Sequence, residues 1–178
     1  MMARISSCIL LLSFFAAMTE CQRISTAKIG DNRYFISWQN PYAPRLNFHL
    51  AYEYCRTIAM ELISLESAEE AQQLADYLRP GASAADFWTS GNTLGTSTWL
   101  WMSNGSPFNG TFNYWPNGVE PSRSTDANCL LVTDQTQTWR AENCAQNNHF
   151  ICEQTRCYFY NFNPFAALST SPQGNGAR

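Results

Sequence analysis

The spacing of hydrophobic residues changes along the chain, and the change divides it into two parts. Tyr34-Phe35-Ile36-Ser37-Trp38 is a block of aromatic and β-branched residues that reads as an opening strand. Pro41 and Pro44 interrupt it. From Asn47 the apolar positions Phe48, Ala51, Tyr52, Cys55, Ile58 and Ala59 recur three and four apart, which predicts a helix capped by Asn47. Leu62-Ile63-Ser64-Leu65 is a short strand. Ser67-Ala68-Glu69-Glu70 then has the form of a capping box, with Ser67 as cap and Glu70 reaching back. Ala71, Leu74, Ala75 and Leu78 continue a second buried stripe that Pro80-Gly81 ends.

After this point the helical period disappears. Phe87-Trp88-Thr89, Trp99-Leu100-Trp101, Cys129-Leu130-Leu131-Val132, Thr138-Trp139 and His149-Phe150-Ile151-Cys152 are short strand candidates separated by Gly, Asn, Ser and Pro turns. Helices first and strands later predict an α+β fold. The stretch from Ser103 to Asn128 is long, polar and rich in Gly and Pro, and a loop beyond ~15 residues inside a compact domain is usually functional or disordered. No internal repeat is visible.

The two ends read differently. Arg4 precedes the apolar run Cys8 to Ala17, followed by small residues, which is the pattern of a secretory signal over residues 1–19. That run falls short of the ~20 apolar residues that span a bilayer, and no later segment qualifies. Residues 20–33 form an N-terminal extension, residues 34–153 the domain, and residues 154–178 a tail. The tail opens on the aromatic segment Tyr158 to Phe165, which is expected to pack on the terminal strands, and ends in a run without period.

Composition narrows the function. A chain of 178 residues holds one domain with a real core; 45% of it is hydrophobic and 14% charged, so it is globular. A net charge of −3 without any Lys/Arg cluster removes the counterion-release drive for nucleic acid. Export implies an oxidising compartment. With Cys8 lost alongside the signal, Cys21, Cys55, Cys129, Cys144, Cys152 and Cys157 remain, and six cysteines allow ~15 pairings. No close Cys-x2-Cys pair or Cys/His cluster supports a metal–thiolate site. Catalytic machinery needs a base near a nucleophile or paired carboxylates. His49 falls on a helix and His149 beside the last strand, so an enzyme is not expected.

Several markers occur together in one order: Phe87-Trp88-Thr89-Ser90-Gly91, Glu120-Pro121-Ser122, and Trp139-Arg140-Ala141-Glu142-Asn143-Cys144 followed by Cys152-Glu153. Over roughly residues 34–153 the chain resembles the C-type lectin-like domain. The resemblance implies two helices flanking short antiparallel sheets, a long ligand loop, and the pairs Cys55–Cys152 and Cys129–Cys144. Cys21 and Cys157 are then left to pair with each other. It also implies that Trp88, Trp101, Trp115 and Trp139 belong to the core.

The same resemblance locates a calcium site and shows it dismantled. Sugar-binding members use the Glu and Asn of Glu-Pro-Asn, a Glu two residues before the third domain cysteine, and the Asn and Asp of Trp-Asn-Asp. Here these positions are Glu120, Ser122, Ala127, Arg140 and Ala141, so one ligand of five survives. Calcium takes 6 to 8 oxygen ligands, so no metal and no cofactor are expected. Arg140 is expected either to pair with Glu120 across the old site or to point to solvent. Pro121 is the family's loop-setting proline, whose isomer the sequence does not disclose.

The ligand-binding candidates are therefore Tyr114, Glu120, Ser122, Asn128 and Arg140. Asn104 and Asn109 head glycosylation sequons, the first followed by Pro107. The resemblance implies a secreted, extracellular module, similar to small soluble invertebrate lectins that recognise foreign or self surfaces. Its partner would be a glycan or an extracellular protein bound without calcium. Two other readings stay open. One is a structural matrix or cuticle protein associating through its tail; the other is a calcium-dependent lectin rebuilt around Glu120 with Asp126, Asn128 or Glu142.

Overall fold

The computed structural model describes residues 24–79, 85–108, 110, 112–122, 126, 128–133 and 138–154. The expected signal segment, Cys21, Asn109, Ala127, Cys157 and the aromatic tail lie outside the described residues.

Eight strands and two helices follow in the order β1 (Ala27–Ile29), β2 (Asn32–Ile36), α1 (Phe48–Thr57), β3 (Glu61–Leu62), α2 (Ala68–Leu78), β4 (Phe87–Asn92), β5 (Leu100–Trp101), β6 (Cys129–Val132), β7 (Trp139–Glu142) and β8 (His149–Glu153). The main sheet runs β1-β2-β8-β4-β6-β7, with β3 added to β8 and β5 to β4. All pairings are antiparallel except β4 with β8, which pair Phe87 with His149 and Trp88 with Phe150. This is the α+β architecture that the spacing predicts. The β1–β2 hairpin was not predicted: Ala27-Lys28-Ile29 is too short to show a period. The opening strand ends at Ile36, because Ser37–Gln39 turn into a 3-10 helix.

Both predicted caps form. Asn47 Oδ1 accepts from the Leu50 amide at 2.9 Å, and Ser67 Oγ from the Glu70 amide at 3.1 Å, each meeting an amide that the first turn leaves unpaired. Glu70 also accepts from the Tyr34 hydroxyl at 3.2 Å, which ties α2 to β2. Phe48, Ala51 and Cys55 are the buried stripe of α1. Ile58 is only half-buried, and Ala59 is exposed with φ 56°, a left-handed residue just past the helix end where glycine is usual.

The sheet is buried on both faces, which is why β6 reads Cys-Leu-Leu-Val without alternation. Cys129 and Leu131 join Phe35, Phe48, Leu62, Trp88 and Phe150 on the α1 side. Leu130 and Val132 join Ile36, Ile63, Leu74, Trp99, Trp101 and Trp139 on the other. The disulfides Cys55–Cys152 and Cys129–Cys144 are both formed, closing sequence separations of 97 and 15 residues.

Candidate functional site

The long loop is folded onto a nest of rings. Trp99, Trp101, Trp115 and Trp139 are buried, and Phe108, Phe112 and Tyr114 pack against them. Phe108 stacks on Trp101 with centroids 4.2 Å apart and meets Trp139 edge-on at 5.2 Å. Such pairs are worth about 0.5–1.5 kcal/mol beyond the area they bury. The close approach of Phe108 requires Gly91, since a Cβ there would stand 2.7 Å from the ring. The core assignment of Trp101, Trp115 and Trp139 therefore holds, as does that of Trp88 on the α1 side.

From this nest the chain emerges as the exposed segment 116–120. Asn117 and Gly118, with φ of 57° and 69°, make a tight turn closed by the Gly118 amide donating to Trp115 O at 2.9 Å. Val119 is 67% exposed. The segment returns to the nest at Pro121, whose carbonyl accepts from Trp99 Nε1 at 3.3 Å. No cis peptide bond occurs among the described residues, so the Glu120–Pro121 bond is trans.

The five candidate residues differ in burial and in their hydrogen-bond partners. Glu120 and Ser122 are exposed on this loop, and Tyr114 is half-buried beside Trp139, with ring centroids 6.0 Å apart. Asn128 is partly buried, and its Oδ1 accepts from the Thr93 hydroxyl at 2.9 Å. Arg140 does not pair with Glu120. Its guanidinium lies between Asp86, at 3.4 Å from Nη2, and Glu142, at 3.3 Å from Nε. The reason is geometric: Glu142 follows Arg140 by two positions on β7 and shares its face. The residue period of two could have revealed Glu142; Asp86, fifty-four positions away, carries no such signal.

These donors do not suit calcium. Ser122 offers one neutral hydroxyl, Ala141 none, and Arg140 brings a cation held by two carboxylates. Glu142 is occupied further by the Asn143 amide and the Gln146 side chain, each at 3.0 Å. Among the described residues no group of three acidic, His or Cys side chains is arranged to hold a metal ion.

Two further features lie apart from the candidate set. Glu61, Glu66, Glu70 and Glu153 line a cleft of about 440 Å³ together with Ser64 and Ser103. Burial pushes the Glu61 carboxyl above its ordinary value. Asn104, the first sequon residue, also borders this cleft; its side chain donates to Glu66 and accepts from the Ser106 amide. His149 has a structural role: Nδ1 bonds Ser37 Oγ at 3.2 Å and Nε2 accepts from Arg45 Nε at 3.2 Å. Its pKa is lowered, first by burial and then by the Arg45 charge.

Comparison with known proteins agrees with this geometry. Residues 45–154 match the Lectin C-type domain model. C-type lectin 37Da of Drosophila melanogaster is 43% identical over 61 residues, 34% of this chain and 33% of that protein. C-type lectin domain family 4 member M of Hylobates lar is 32% identical over 129 residues, 71% of this chain and 30% of that protein. The chain thus spans about a third of the length of these two relatives. Among solved structures, a calcium-independent type II antifreeze protein superposes with a TM-score of 0.59 at 20% identity, covering 76% of this chain and 94% of its own. With the predicted disulfide pairs formed and the family model matched across most of the domain, the chain belongs to the C-type lectin domain family, a recognition fold and not an enzyme.

Proposed function

We propose that this protein is a secreted recognition module that binds a glycan or an extracellular protein without calcium, through the exposed loop around Val119, Glu120 and Ser122 with Tyr114 beside it. The observation that carries the reading is Arg140. It occupies a family calcium-ligand position and is held by Asp86 and Glu142, so a side-chain cation already stands beside these carboxylates without a metal. Arg140 then ties β7 to the start of β4 instead of offering a free cation to the ligand. Asn128, committed to Thr93 through Oδ1, has the same supporting part. Disulfide bonding agrees with an extracellular location. The calcium-independent character of the antifreeze relative supports the idea that the fold stands without the metal.

The test is capture of the full-length oxidised protein on an array of mannose-, galactose-, N-acetylglucosamine- and sialic acid-terminated glycans and on cell-surface protein extracts, in chelator. Binding should persist in chelator and fall when Glu120→Ala and Ser122→Ala are combined. Binding that vanishes in chelator, or that ignores the double variant, would contradict the reading.

A further inference from the structure

We propose that Trp99 is the positioning residue of the binding loop, holding both of its ends at once; this rests on the loop being the ligand surface. The indole is 3% exposed. Its ring packs on Trp115, with centroids 5.0 Å apart, immediately before the loop. Its Nε1–H donates to the Pro121 carbonyl at 3.3 Å, immediately after the loop. Residues 116–120, all exposed, lie between these two attachments.

Each attachment has a physical reason. A buried indole N–H usually finds an acceptor, and that of Trp99 finds a loop carbonyl, so lifting the loop would strand a buried donor. Proline lacks an N–H, which leaves its carbonyl as the backbone group at that point able to form a hydrogen bond. Trp99 is itself fixed, because its carbonyl accepts from the Phe108 amide at 3.1 Å and its ring contacts Phe108 at 5.8 Å. The turn inside the bracket is closed by amides of Gly118 and Val119, donating to Trp115 O at 2.9 Å and Pro116 O at 3.3 Å. A segment held at both ends and hydrogen-bonded within is ordered before any ligand arrives, so little ordering entropy opposes binding. Trp139 provides the contrast: its Nε1 is buried in the same nest without a partner among the described residues, so an indole N–H in this nest is not bonded by default.

The experiment compares Trp99→Phe with Trp101→Phe in the oxidised full chain. The second variant removes similar ring area from the same nest without touching Pro121. Trp99→Phe should speed hydrogen exchange of the Gly118 and Val119 amides by roughly three- to tenfold, the range expected for one neutral hydrogen bond. Retention on the glycan array should weaken by a similar factor. Trp101→Phe should lower the melting midpoint while leaving loop exchange at the wild-type rate. Equal loop exchange in the two variants would overturn the proposal.

A measurement on the wild type stands apart from variant folding: the Trp99 indole N–H should exchange together with the Gly118 amide, and independent fast exchange would overturn the clamp. Glu120→Ala with Ser122→Ala separates the two levels. If that double variant binds as wild type while Trp99→Phe loosens the loop, the clamp stands and the proposed function fails. If Trp99→Phe leaves the loop tight, the clamp fails whatever the ligand data show.

Discussion

The two faces of the sheet are held by different means. Under α1 the core is closed by a covalent link between residues 97 positions apart, with Phe35, Phe48 and Phe150 around it. Under the long loop no disulfide is present among the described residues, and order comes from rings packed on rings and one indole hydrogen bond. The first arrangement stabilises by restricting the unfolded chain, so its effect is global. The second acts only when folded and is local, setting the shape of a surface. The difference teaches where stability and recognition are separable: damage on the α1 side should unfold the domain, and damage on the loop side should reshape the site first.

The largest expected effect follows on the α1 side. Replacing both cysteines of the long-range pair, Cys55→Ala with Cys152→Ala, should cost about 4 to 5 kcal/mol, as a closed loop near 100 residues implies. Urea denaturation reads this directly, and a loss below about 1 kcal/mol would break the comparison. On the loop side, Gly91→Ala forces a methyl to within 2.7 Å of Phe108 and 2.8 Å of Leu130. Overpacking of this kind costs about 1–3 kcal/mol. The same denaturation, followed by tryptophan fluorescence, should show the destabilisation together with a spectral change in the folded state. An unshifted spectrum would place Phe108 outside the nest.

A smaller, pH-dependent effect comes from His149, whose ring meets Trp38 edge-on on the face opposite α1. His149 has a folded pKa below its ordinary 6.5, first through burial and then through Arg45. The unfolded chain therefore takes up the proton first, and stability falls as pH drops below about 6.5 and on through the folded value. Glu61 works with the opposite sign: burial raises its folded pKa above 4.5, so the fold gains as pH falls toward that value. His149→Gln should flatten the loss between pH 7 and 5 in denaturation curves, whereas Glu61→Gln should steepen it. A His149→Gln protein that keeps the full slope would remove His149 from the account.

Much of the fold was legible because it rests on local rules. Asn47 and Ser67 announce the helix starts, the three-and-four spacing sets the buried stripes, and β-branched and aromatic runs mark the strands. What stayed hidden depends on distant meetings. Asp86 reaches Arg140 across the sheet, Thr93 takes the oxygen of Asn128, and Trp99 reaches Pro121 over a loop. The expectation of a Glu120–Arg140 pair came from motif positions, which assign neighbours by resemblance; the strand pleat chose Glu142 instead.

Calcium-free recognition is the central claim, and thermal melting of the oxidised protein in millimolar Ca²⁺ against chelator tests it most directly. A ligand at about 100 times its Kd adds ~2.7 kcal/mol to the native state, a shift of several degrees for a domain of this size. The account predicts coincident curves. A midpoint raised by about 5 °C or more in calcium would contradict it and restore a metal at the loop junction.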